Sequence, residues 1–293
     1  MSLTAPQYPP AQETNAGSGP VGDGGGAGAG SGAFDPHPTA RQQTASAPIT
    51  RMHAVVWLFI RQSVKLVRRD PSRREDEMTE SLPQRMYLLG YDTDKNRLDP
   101  ASAIVRGTLL RAAAVAELTI GGLLADRDGK ACRAAAAGLT PGDPFLAKVL
   151  EDSPGEKPRR WFALIDRDWH KAENVVRDQL AGSGTIRVDK HRAMGIFPVR
   201  DITLPEPERA RALRERIRHV VLSGEDPATI PIEDAVLAML SYEGDVHTVF
   251  TSKEYRANRS TIKALAAHVD TALPGLRKAV QYSVAARRSA LSG

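Results

Sequence analysis

Leu109-Leu-Arg-Ala-Ala-Ala-Val-Ala-Glu-Leu-Thr-Ile-Gly-Gly-Leu-Leu124 is the segment from which the rest of the chain is best read. Leu109, Ala113, Ala116 and Ile120 recur at helical spacing, which stacks them on one face of an α-helix, and Gly121-Gly122 supplies a stop. The pattern predicts a helix over 101–120. Composition points the same way: aromatic residues make up only 5% of the chain while Ala, Leu and Val abound, which favours helix packing over the aromatic-rich strands of a sandwich. The expected fold class is mainly α, a compact multi-helix bundle with one or two short β-hairpins.

Working outward toward the C-terminus, Asp126-Arg-Asp-Gly129 reads as a hairpin turn. Asp143-Pro144 reads as a helix start, because Asp caps exposed amides and Pro suits the first helical position. A helix is expected over 168–181 and is followed by a hairpin: strands 185–188 and 193–198 around a basic tip at 189–192. Residues 205–223 form an amphipathic helix, acidic early (Glu206, Glu208) and basic late (Arg214, Arg216, Arg218), as the helix dipole prefers. Residues 232–242 are apolar on nearly every side and are expected to be the buried central helix. Helices over 252–269 and 276–290 complete the set.

Toward the N-terminus the run 86–91 reads equally as a helix end or a strand, and Asp92 to Asn96 is a turn cluster. Upstream, 52–77 is an amphipathic basic helix or linker. Trp57, Ile60, Val64 and Val67 share a face there, and Arg61, Lys65, Arg68, Arg69, Arg73 and Arg74 stand against Asp70. That stretch fits a membrane interface, a helix packed on the domain, or a solvated linker. Residues 1–51 are dominated by Gly, Pro, Ala, Ser, Thr and Gln and are expected to be a disordered tail. Met78 would make a natural start for the domain, read as 78–293.

Function classes are narrowed by what the residues lack. Cys132 is the single cysteine, so no intramolecular disulfide forms and no thiolate zinc site can be completed. The seven histidines are scattered, no phosphate-binding glycine loop or nucleophile elbow occurs, and Asp92, Asp94, Asp126 and Asp128 sit in turns that favour Asp for backbone hydrogen bonding. The expectation is a protein that binds rather than catalyses, with no metal and no cofactor. Without a membrane-length apolar run or a secretion signal, it is expected in the cytoplasm.

Several segments in order carry a family resemblance. Leu109 to Leu118 followed by Gly-Gly-Leu-Leu124, Pro141-Gly-Asp-Pro-Phe-Leu146, Val176-Arg-Asp-Gln-Leu-Ala with Gly184-Thr-Ile186, Gly195-Ile-Phe-Pro198, Leu204 and Asp234-Ala-Val-Leu-Ala-Met-Leu240 resemble the Golgi phosphoprotein 3 family over about 79–269. The Ala-, Gly- and Arg-rich composition resembles that of a bacterial, high-GC (actinobacterial) member. The resemblance implies an all-helical domain with a hairpin, no enzymatic activity, and peripheral attachment to the cytosolic face of a membrane through phosphatidylinositol 4-phosphate. The Golgi cargo role of eukaryotic members does not transfer to a bacterium.

Residue by residue, the resemblance places Arg111 at the family's pocket arginine. It places Ser102 where an aromatic should be, and His170 and Glu173 where two further arginines should be. The implied headgroup site is therefore Arg111, Arg106, Arg177 and His170, with Arg159 and Arg160 as further compensating cations. The hairpin residues Lys190, His191, Arg192, Met194, Ile196 and Phe197 correspond to the family's membrane and oligomerisation element. The expected partner is an anionic membrane lipid with a phosphoinositide-like headgroup, with protein cargo or self-association through the hairpin beside it. One alternative is a protein-protein scaffold without lipid binding. The other is a winged-helix-like nucleic-acid binder, disfavoured because Asp166, Asp168, Glu173 and Asp178 make the 168–181 helix too acidic for phosphate contact.

Overall fold

The predicted central segment does form a helix, but one that is buried nearly all round rather than along one stripe. In a computed structural model this helix, α2 (Arg106–Ile120), buries every residue from Arg106 to Ala116. The structure describes residues 80–290 apart from 135–139, 154, 156 and 194–196, and the backbone alone for 190–193 and 197–199. The expected tail at 1–51 and basic segment at 52–77 lie outside the described residues.

Ten α-helices are described, with three small antiparallel sheets, and the protein is mainly α. Before α2 come α1 (Leu82–Leu89) and the two-residue strands β1 (Tyr91–Asp92) and β2 (Arg97–Leu98). The run 86–91 is thus both a helix end and a strand, divided at Gly90. The helix α2 starts five residues later than its apolar spacing suggests. Asp99 and Pro100 hold the preceding residues in turns, with the Asp99 carboxylate accepting from the Ala101 amide at 3.0 Å and its carbonyl accepting from the Ser102 hydroxyl at 3.3 Å.

After α2 come β3 (Leu124–Arg127) and β4 (Lys130–Arg133), joined by the expected turn. Asp128 (φ 54°) and Gly129 (φ 74°) both adopt the left-handed conformation that such two-residue hairpins require. Next is α3 (Pro144–Glu151), capped as its sequence predicts: Asp143 accepts from the amides of Phe145 (2.7 Å) and Leu146 (3.1 Å). Strand β5 (Arg159–Arg160) adds to β4, and α4 (Trp161–Asp166) and α5 (Trp169–Gly182) follow.

The hairpin differs from expectation in register. Strands β6 (Arg187–Ala193) and β7 (Phe197–Thr203) pair from Arg187↔Thr203 to Ala193↔Phe197, so Lys190, His191 and Arg192 lie within a strand and not in a basic tip. Pairing across the ladder keeps these residues extended through to Ala193. Met194 and Ile196 fall outside the described residues, as do the side chains of Lys190, His191, Arg192 and Phe197. At the open end, Tyr91 donates its hydroxyl to the Ile202 carbonyl (2.7 Å), and Arg214 donates to the Tyr91 carbonyl (2.7 Å).

Last come α6 (Pro207–Leu222), α7 (Ile232–Glu243), α8 (Ser252–Ala257), α9 (Arg259–Ala272) and α10 (Leu276–Ser289). The expected single helix over 252–269 breaks at Asn258. The core has two centres: α7, buried from Asp234 to Ser241 as predicted, and α2, which packs against α1, α3, α4, α5, α7 and α10. Among the described residues no helix is long and apolar enough to cross a membrane.

Candidate anionic headgroup site

Arg111 leaves α2 for the interior. Its guanidinium meets Asp152, just past the end of α3, at 3.1 Å and donates twice to the Leu164 carbonyl of α4 (3.2 and 2.8 Å). Both side chains of the pair are only 2% exposed. Burial pushes the Arg111 pKa below its ordinary value, and the neighbouring Asp152 carboxylate opposes that shift.

Asp152 also gathers cations from outside. Arg167 reaches its second oxygen at 3.1 Å from the α4–α5 connection, and Lys148 approaches it at 3.7 Å from α3. These two side chains are 45% and 59% exposed. Lys171, on the first turn of α5, pairs with Asp168 at 2.8 Å. Asp168 feels Lys171 first, then Arg111 and Arg167, and its pKa is held below the usual carboxylate value.

His170 is exposed on α5, edge-on to Trp169, whose ring carries the Arg287 guanidinium on its face. Arg287 also pairs with Asp166. Helices α2 and α5 touch at Gly107, where a Cβ would come within 2.1 Å of the Trp169 carbonyl oxygen; only glycine permits that approach.

Arg106 and Arg177 belong to a second cluster. Arg106 donates to Glu173 (3.1 Å) and to the Asp99 carbonyl (2.5 Å), and Arg177 is held by Asn174 (2.8 Å) and Asp178 (2.9 Å). Both arginines are buried. They face the interior phenol of Tyr87, whose pKa is raised by burial first and Glu173 next and lowered by both arginines. Ser102 is buried with its hydroxyl on the Asp99 carbonyl.

The structure therefore brings Arg106 and Arg177 together and sets Arg111 apart. Residues five apart on a helix point roughly 140° away from each other, so Arg106 and Arg111 leave α2 in different directions. Each of the three has internal partners. Glu173, the carboxylate expected to repel phosphate, is neutralised by Arg106. Arg159 and Arg160 lie on the exposed strand β5.

Asp152, Lys148, Arg167 and Lys171 were not singled out in the sequence. Asp152 belongs to an ordinary polar helix end, and its role depends on α2 and α4 arriving beside it. Among the described residues no group of three or more His, Cys, Asp or Glu side chains could hold a metal ion.

The class defined is a mainly helical domain with an arginine bonded inside its core and a hairpin of two seven-residue strands beside its helices. A sequence profile of the Golgi phosphoprotein 3 (GPP34) family matches residues 82–283, and the chain belongs to that family. No curated protein matches it.

Proposed function

We propose that this domain is a non-enzymatic peripheral membrane adaptor, and that anionic lipid headgroups meet it at the rim around Asp152. One observation carries the reading: a single buried carboxylate is approached by three cations, of which Lys148 and Arg167 keep much of their side chains in solvent. Asp152 cannot neutralise all three by itself. Glu151 also meets Lys148 at 3.4 Å and Asp168 meets Lys171 at 2.8 Å, so the four cations outnumber the three carboxylates by one positive charge, with His170 exposed beside them on α5. Arg111 then serves as a positioning residue that holds Asp152 and the rim in place. Arg106, through Glu173, ties α2 to α5 behind it, and the β6–β7 hairpin is a further membrane or self-association element. Because Glu173 stands where the family has a cation, the proposed ligand class is anionic lipid in general.

Vesicle co-sedimentation tests the reading. Recovery should rise with the fraction of anionic lipid and fall with added salt. A cation near an anionic surface contributes about 1 kcal/mol, so Lys148→Gln/Arg167→Gln/Lys171→Gln should weaken affinity roughly fivefold for each charge removed. Equal recovery on neutral and anionic vesicles would overturn it.

A further inference from the structure

The three-stranded sheet β3–β4–β5 holds a row of cations that nothing in the fold uses. Arg127 is directly opposite Lys130, and Lys130 is directly opposite Arg160. Residues directly opposed in antiparallel strands project from the same face, so three positive side chains stand side by side across three strands. With strands about 4.8 Å apart, the row spans roughly 10 Å. All three residues are exposed, and none has an ion-pair partner among the described residues.

Folding gives no reason for this arrangement, since like charges directly opposed in a sheet are destabilising. Several other exposed arginines do have carboxylates: Arg167 has Asp152, Arg209 has Glu80, Arg216 has Asp234 and Arg288 has Asp245. Arg97, Arg256 and Arg259 are exposed without an ion pair among the described residues, but they do not stand opposed to another cation across a strand pair. The nearest carboxylate in the sheet, Asp126, lies on the opposite face. It accepts from the Trp161 indole (2.9 Å) and the Gly129 amide (3.0 Å). The Trp161 bond ties the residue before Arg127 to the residue after Arg160, which fixes the two ends of the row relative to each other. Asp128, at the turn, makes no ion pair with any of the three.

We propose that Arg127, Lys130 and Arg160 form a second contact for anionic lipid headgroups, distinct from the rim around Asp152. The inference rests on the membrane reading above. A lipid surface suits the row better than a nucleic acid does. Alternation places Ala125 and Cys132 on the same sheet face, so no aromatic side chain is available there for bases to stack on. Three cations within roughly 10 Å match the phosphates of one or two headgroups.

The test uses the full chain on vesicles of phosphatidylcholine with and without phosphatidylserine. Arg127→Gln/Lys130→Gln/Arg160→Gln should bind the anionic vesicles more weakly, roughly fivefold per cation removed, and the loss should add to that of the rim variant. Its thermal midpoint should match or exceed that of the unaltered chain, because opposed like charges are relieved. The single change Lys130→Gln, at the middle of the row, should give about a fivefold loss alone. If the row variant binds as the unaltered chain does while the rim variant weakens, the row inference falls and the membrane reading stands. If the unaltered chain ignores anionic lipid, both fall. Loss of salt-sensitive duplex DNA binding with vesicle binding intact would assign the row to nucleic acid and overturn the proposal.

Discussion

At the residue scale, Arg111, expected at a headgroup pocket, is paired inside the core. Arg111 and Asp152 are both withdrawn from water, and removing one partner of a buried ion pair exposes the other to an uncompensated desolvation cost. Arg111→Ala also strands the Leu164 carbonyl, which accepts two of its hydrogen bonds. The expected outcome is a loss of about 3 kcal/mol in urea unfolding, with much of it recovered in Arg111→Met/Asp152→Leu. A variant that melts normally would show that Arg167 and Lys148 suffice for Asp152. The sequence told Arg111 apart from its neighbours, yet it could not tell a ligand-facing arginine from a core one. That distinction depends on Asp152 and Leu164, which lie 41 and 53 residues further along. For Arg106 the same holds, since Glu173 becomes its neighbour only once α2 and α5 have packed, whereas Arg177 is held by Asn174 and Asp178 of its own helix.

At the scale of elements, α6 is joined to α8 by one ion pair that also answers to pH. Arg218 donates to both oxygens of Glu254 (2.6 and 3.2 Å) and to the Val249 carbonyl (2.7 Å), while Glu254 caps its own helix with Thr251. The Arg218 guanidinium, then the Thr251 amide, bring the Glu254 pKa down to about 2 from 4.5. A carboxylate whose pKa is depressed on folding adds stability above its unfolded value, and that stability is lost as pH falls from 4.5 toward 2. With both side chains partly in solvent, the contribution is about 2 kcal/mol. Burial raises the pKa of Glu117, Asp234 and Glu243, so their protonation acts in the opposite sense. Glu254→Gln should flatten the acid limb of a stability–pH curve below pH 4.5, whereas a limb as steep as before would place the linkage elsewhere.

Local chemistry was the legible part of these elements. The Asp143-Pro144 start, the Asp128-Gly129 turn and the stop after Ile120 follow from capping and left-handed geometry alone. The hairpin register was misplaced because a charged run resembles a turn when its cross-strand partners are unknown. The break at Asn258 has no strong breaker residue to announce it.

Across the whole molecule, helical periodicity and the order of weak motifs were enough to assign the class and the family, and the profile match over 82–283 agrees. What periodicity left open was which helix is innermost. Its apolar stripe marks α2 as one-sided, but its small side chains Ala112, Ala113 and Ala114 let helices approach from every side. With α7 it makes two adjoining buried rods. Their amide protons can meet solvent only when the assembly opens as a unit. In deuterium labelling, residues 109–116 and 235–241 should therefore exchange together and last, at a rate set by global unfolding. The short β3–β4 ribbon, with fewer shielded hydrogen bonds, should exchange far sooner. Early labelling of either rod would mean that the two halves of the interior come apart separately.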